Sequence, residues 1–297
     1  MRQFLLASFL LLMLTAGCAG PTLPVSTGHV DTGVDPETWV RIPAGPFALG
    51  QFNDPGVIGT DFEIMVTPVT VAQYARYLND ALAAGTARIE GNQVVGPYKG
   101  DVFHGHKHEE CIDPGDYVQI PLDAPELRLV RNGNAFAALP SYENHPMTMV
   151  SWFGARAYCE AIGGRLPMQV EWEKAARGED SRPFPWGDTL NRNVANYYNS
   201  SDIFEKAFGK AGDTTPVGFY NGRSYDGYVT LDNASPYGVY DMAGNVWQWT
   251  ADITEGMHYR FLRGGSKADY GYMLRIWTRN NAGPAYYSPN IGFRCVR

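Results

Sequence analysis

The 297-residue sequence is 44% hydrophobic and 19% charged, enough apolar material for a full core and too little charge for a disordered chain. A formal net charge of −7 offers phosphate backbones no attractive face, so nucleic acid is excluded as an expected partner. With 33 Gly, 20 Pro and 13% aromatic residues, the composition predicts a loop-rich α+β domain whose turns are held by large flat side chains.

The amino terminus reads as an export leader. Arg2 supplies a positive start, residues 4–14 an apolar run too short to span a bilayer, and Leu14-Thr15-Ala16-Gly17-Cys18 resembles a bacterial lipobox. The pattern makes residues 1–17 a signal peptide and Cys18 the site of lipidation, which anchors the protein in a bacterial cell envelope, periplasmic or at the surface. The competing reading is an ordinary signal peptide cut at a neighbouring small residue, with Cys18 a bystander. Residues 18–38, rich in Pro, Gly, Thr and Ser, read as a flexible tether, and 39–297 as one domain without internal repeats.

Within the domain, residues 40–50 predict a strand and turn. Thr70 is placed to N-cap a helix on which Val71, Tyr74, Leu78 and Ala81 recur at helical spacing. Between Gly100 and Pro114-Gly115, His104, His106 and His108 alternate; in an extended strand they project to one face, where with Glu110 or Cys111 they suit zinc, copper or iron. The plainer reading of that stretch is a solvated polar loop. A helix over 152–162 sets Ala155, Tyr158, Cys159 and Ile162 on one apolar face and stops at Gly163-Gly164. Excluding Cys18, three cysteines remain, Cys111, Cys159 and Cys295.

The segments Arg165-Leu166-Pro167-Met168, Asp241-Met242-Ala243-Gly244-Asn245-Val246-Trp247-Gln248-Trp249, Arg263-Gly264-Gly265-Ser266 and Ile291-Gly292-Phe293-Arg294-Cys295 together resemble a formylglycine-generating-enzyme (sulfatase-modifying factor) domain. The resemblance covers 39–297 and implies a C-type-lectin-like fold. It also implies a helix after Met168, where the family has Thr, so that this chain forgoes a capping box worth about 1 kcal/mol. In that family two cysteines after the Gly-Gly-Ser hold copper and oxidise a substrate cysteine. The matching positions here are Asp269 and Leu274. Neither side chain is the soft thiolate that Cu(I) requires, so copper is not expected.

The resemblance carries further expectations. Cys159 and Cys295 match a structural disulfide, which leaves Cys111 outside it. Asp241, Gly244, Val246 and Gln248 match one calcium site, with Gln248 standing for a Glu and Asp241 for an Asn; Asn196, Tyr197, Asp202 and Phe204 match a second. Ser266, Asp269, Tyr270, Tyr272, Arg275, Trp277, Arg279, Tyr286 and Tyr287 fall in the catalytic groove of the family. No Cys-His, Ser-His-Asp or paired-carboxylate set is legible among them, so no catalytic residue is assigned. The favoured reading is an anchored accessory protein that holds an exported peptide, glycan or partner protein in the groove. The alternatives are a non-copper oxidoreductase like the pyoverdine-maturation branch, acting on an exported peptide or siderophore precursor, and a ligand-binding variable protein of the diversity-generating retroelement class.

Overall fold

The computed structural model describes residues 28–102, 110–133, 135–208, 212–254 and 259–297. Cys18 and the His104, His106 and His108 cluster lie outside them. The domain opens with two antiparallel pairs, β1 (Trp39–Ile42) with β4 (Phe62–Met65) and β2 (Gly45–Leu49) with β3 (Asp54–Ile58). Helix α1 (Val71–Ala84) starts where the sequence predicts. Thr70 Oγ1 accepts from the Gln73 amide at 3.2 Å, and Gln73 Oε1 accepts from the Thr70 amide at 2.8 Å, a reciprocal capping box.

A three-stranded meander, β5 (Arg88–Glu90), β6 (Gln93–Tyr98) and β7 (Gly115–Pro121), and a hairpin of β8 (Leu129–Asn132) and β9 (Ala135–Ala138) follow. Then come α2 (Trp152–Ala161), α3 (Gln169–Arg177), the short α4 (Ile203–Phe208) and a hairpin of β10 (Ser224–Tyr225) and β11 (Tyr228–Val229). The last four strands, β12 (Trp247–Ile253), β13 (Arg260–Arg263), β14 (Arg279–Ala282) and β15 (Ile291–Gly292), make one sheet in the order β14-β13-β12-β15.

The main core forms where α1 and α2 meet the carboxy-terminal segment. Tyr74 stacks on Tyr158 with centroids 5.8 Å apart, and Phe293 meets the Tyr158 ring edge-on at 5.4 Å. Cys159 and Cys295 form a disulfide beside these rings, which ties α2 to the segment after β15. Cys295 lies three residues beyond that strand.

Two expectations change. Ile162 is not on the buried face of α2: the helix ends one residue earlier, Ile162 caps it, and the side chain is 41% exposed. Residues 28–38 pack against the domain although their composition reads as tether. Thr32 is buried and its hydroxyl donates to the Val217 carbonyl at 3.0 Å, while Asn221 and Arg223 both donate to the Thr32 carbonyl at 2.9 Å. Composition misjudges this stretch because its anchors, the hydroxyl and the main-chain carbonyl of Thr32, leave no apolar pattern to read.

Candidate functional site

The four-stranded sheet separates two recesses, because successive side chains of a strand point to opposite faces. Trp247, Leu262, Asn280 and Ile291, one from each strand, floor a groove of about 470 Å³. Loop residues Ser266 and Asp269 form one wall; Tyr286, Ser288 and Asn290 form the other. The opposite face carries Gln248, Arg263 and Arg279, which turn toward α3 and a second cleft of about 390 Å³.

This division splits the residues that the resemblance assigns to one groove. Ser266, Asp269 and Tyr286 are there. Trp277 and Arg279 line the second cleft, where the guanidinium groups of Arg177 and Arg275 stand 5.5 and 5.8 Å from the Trp277 ring centroid. Tyr270 and Tyr272 are 59% and 62% exposed, the former leaning on the Tyr198 ring at 5.0 Å, and neither lines the groove. Tyr287 packs against the main core. The groove instead takes Asn280, Asn281, Asn290 and Ser288, which carry no sequence motif. The register of β13 against β14 would have found the first: Leu262 pairs with Asn280 on the groove face, Arg263 with Arg279 on the other.

The two positions of the missing cysteines behave differently. Asp269 stays in the groove, where its Oδ2 accepts from the Ser266 hydroxyl at 2.5 Å and from the Ser266 amide at 2.9 Å. Leu274 is fully buried among Phe184, Val194, Ala195 and Ala243, out of reach of a groove ligand. Next to Ser266, Lys267 is buried, and desolvation pushes its amine below the ordinary lysine range. The Asn290 Oδ1 is buried without a hydrogen-bond partner, an acceptor left open at the groove wall.

The 241–248 and 196–204 loops interlock. The Asn196 carbonyl accepts from the Asn245 amide at 2.7 Å, and a Cβ on Gly244 would stand 2.5 Å from that carbonyl oxygen, so only glycine fits there. Gln248 Oε1 accepts from Trp172 Nε1 at 3.0 Å and from Arg294 Nε at 2.7 Å, while its Nε2 donates to the Asp241 carbonyl at 2.8 Å. Two N–H groups on one atom fix the amide orientation, since a flip would turn the NH₂ against both donors. Calcium takes oxygen ligands, and where the resemblance implies a second carboxylate oxygen this chain presents N–H donors. Gln248 does not fit the metal.

Asp241 is buried; its Oδ2 accepts from the Gly218 amide at 2.7 Å and its Oδ1 from Asn233 at 3.4 Å. Desolvation raises its carboxyl above the usual range against those bonds and the Arg294 charge, and desolvation lowers Arg294 to about 9. In the second loop Asp202 caps α4. Its Oδ1 accepts from the Phe204 and Glu205 amides at 2.8 and 2.9 Å, and its Oδ2 from Ser200 and Tyr220 hydroxyls at 2.8 and 2.7 Å, which occupies all four lone-pair positions. The Tyr197 carbonyl accepts from the Ser200 amide at 2.9 Å, and Phe204 is buried edge-on to Phe219. Among the described residues no group of three or more His, Cys, Asp and Glu side chains is placed to hold a metal ion.

Comparison with known proteins supplies the lineage. The chain is 37% identical over 274 residues to the "inactive C-alpha-formylglycine-generating enzyme 2" of Mus musculus, covering 86% of this chain and 84% of that one. It is 34% identical over 292 residues to the formylglycine-generating enzyme of the same organism, covering 86% and 74%. Among solved structures, PvdO from Pseudomonas aeruginosa superposes with a TM-score of 0.56 at 21% identity, covering 87% of this chain and 93% of that one, which shows a shared fold. Residues 28–297 match the sulfatase-modifying factor enzyme 1-like domain, and the chain belongs to that family.

Proposed function

We propose that this protein is a binding or accessory member of its family that holds a segment of an exported peptide in the groove and performs no copper-dependent oxidation. The observation that carries this reading is the pair of positions 269 and 274: a carboxylate tied to Ser266 and a leucine sealed in the core leave no thiolate for Cu(I). A relative named as inactive, at 37% identity, agrees with it. The lining favours a neutral or amine-bearing peptide. Two carboxamides and two hydroxyls, from Asn280, Asn290, Ser266 and Ser288, match the alternating donors and acceptors of a main chain. Among the described residues of the lining Asp269 is the charged one, and no Arg or Lys is there to attract an acid.

Panning a displayed peptide library against the full chain and an Asn280→Lys variant tests the reading. Enrichment of neutral and basic sequences on the wild type, lost in the variant, is expected; a glycan-array signal with no peptide enrichment would overturn the ligand class. A sulfatase-type cysteine peptide incubated with the protein and Cu(I) is expected to keep its thiol by mass spectrometry, and gain of an aldehyde would overturn the reading. On the same reading a lipid on Cys18 tethers the domain to the envelope membrane. Cys18→Ser is then expected to leave the membrane fraction, and retention of that variant would refute the anchor.

A further inference from the structure

We infer that a pocket between α1 and α2, apart from the groove, is a second binding site, for a small amine whose apolar body carries a hydroxyl at its far end. Its volume is about 310 Å³, at the small end of the range for ligand sites, and none of its lining residues lines the groove. The walls are apolar: Tyr77, Ala81 and Ala84 of α1 stand opposite Ala161 and Ile162 at the end of α2. The exposed Ile162 side chain has its place here, as part of the wall, and the three alanines fill little of the space between the helices.

The Tyr77 hydroxyl donates to Gln119 at 3.0 Å, but the Tyr158 hydroxyl bonds nothing among the described residues, although Tyr158 is only 4% exposed. Tyr74, Tyr77 and Phe293 pack against the Tyr158 ring, which leaves the hydroxyl as the part turned to the pocket. A buried hydroxyl without a partner is costly, and a ligand oxygen can take that place. Burial and the Glu37 charge raise the Tyr158 pKa against the Arg76 charge, so the hydroxyl keeps its proton and can donate. Those two charges mark the rim. Arg76 pairs with Glu37, which belongs to the 28–38 stretch, while Asp80, one turn further along α1, has no cation in ion-pair reach among the described residues. Two carboxylates against one guanidinium make the rim net negative, which suits an ammonium group. The ligand then runs from its hydroxyl at Tyr158, through an apolar body along the alanines and Ile162, to the ammonium at Asp80.

The inference is independent of what the groove binds. Its test is calorimetric titration of tyramine, and of phenethylamine, which lacks the hydroxyl, into the full chain. Saturable tyramine binding by the wild type is expected. Tyr158→Phe is expected to weaken tyramine about fivefold and to leave phenethylamine unchanged, with no fall in Tm, since the hydroxyl it removes bonds nothing in the protein. Asp80→Asn is expected to weaken both amines about threefold. Asn280→Lys, which obstructs the groove, is expected to leave tyramine binding as it is. No saturable binding by the wild type, equal weakening of both amines by Tyr158→Phe, or loss of tyramine binding in Asn280→Lys would overturn the site.

Discussion

His145 shows how burial alone sets a pH response. Its ring is 2% exposed, Nδ1 lies 2.9 Å from the Thr214 hydroxyl, and it meets Phe204 edge-on. Desolvation holds its pKa down to about 4 from an ordinary 6.5; the Asp213 charge opposes this and the Arg128 charge adds to it. The fold therefore keeps the imidazole neutral, while the unfolded chain takes up a proton below pH 6.5. The stability that His145 contributes is fully present above 6.5 and is lost progressively as pH falls to about 4, on the order of 3 kcal/mol in all. Asp241 and Asp252, raised by burial, slope the other way, so the comparison must be with a variant. His145→Gln is expected to flatten the fall in Tm between pH 6.5 and 4 relative to wild type; an unchanged slope would assign that fall to other groups.

Helix α3 carries the groove's sheet on its flank and begins with a defect. Met168 stands at its N-cap and makes no side-chain cap bond, yet the Glu171 carboxylate still reaches back to the Met168 amide at 2.8 Å, one half of a capping box. Asp252 at the end of β12 accepts from the Gln169 amide at 2.6 Å, so a residue from another element takes one orphan donor that the cap would leave. Met168→Thr supplies the missing half. It is expected to stabilise the protein by about 1 kcal/mol, read as a higher denaturant midpoint at unchanged slope. Downstream on the same helix, Glu173 holds Arg263 at 2.6 Å, Arg177 at 3.2 Å and the Gly50 amide at 2.6 Å, which clamps β13, α3 and the β2–β3 turn together. That clamp, and the Trp172 bond to Gln248, turn one face of the four-stranded sheet inward and leave the other face to the groove.

The domain is closed by long-range ties in place of long regular elements. The Cys159–Cys295 bond spans a sequence separation of 136 and joins the middle of the chain to its last strand region. Closing a loop of that length restrains the unfolded chain by about 5 kcal/mol in the chain-entropy treatment. Unfolding in urea with and without reductant is expected to show a loss of that order. Peptide mapping without reductant should recover Cys159 joined to Cys295, with Cys111 outside the disulfide. A shift well below 1 kcal/mol would mean that the aromatic cluster of Tyr74, Tyr158 and Phe293 already restrains the unfolded chain.

Local chemistry was legible from the residues themselves: the Thr70 cap, the helix at 152, the pairing of Cys159 with Cys295 through family resemblance, and the loss of thiolates at 269 and 274. The cap and the helix depend on side-chain type and on neighbours a few positions away, whereas the disulfide partner 136 positions distant and the missing thiolates are read from the family motifs alone. The two faces of the carboxy-terminal sheet were not legible, because strand register decides them. Arg279 and Asn280 are adjacent in sequence, but one faces α3 and the other the groove. Nor could residue types reveal how Gln248 and Asp241 use their atoms. A Gln oxygen in a loop that the resemblance assigns to calcium reads as a ligand until Trp172 and Arg294, 76 and 46 positions away, take it. Composition and motif state which donors and acceptors exist; only the folded chain decides which of them are already satisfied.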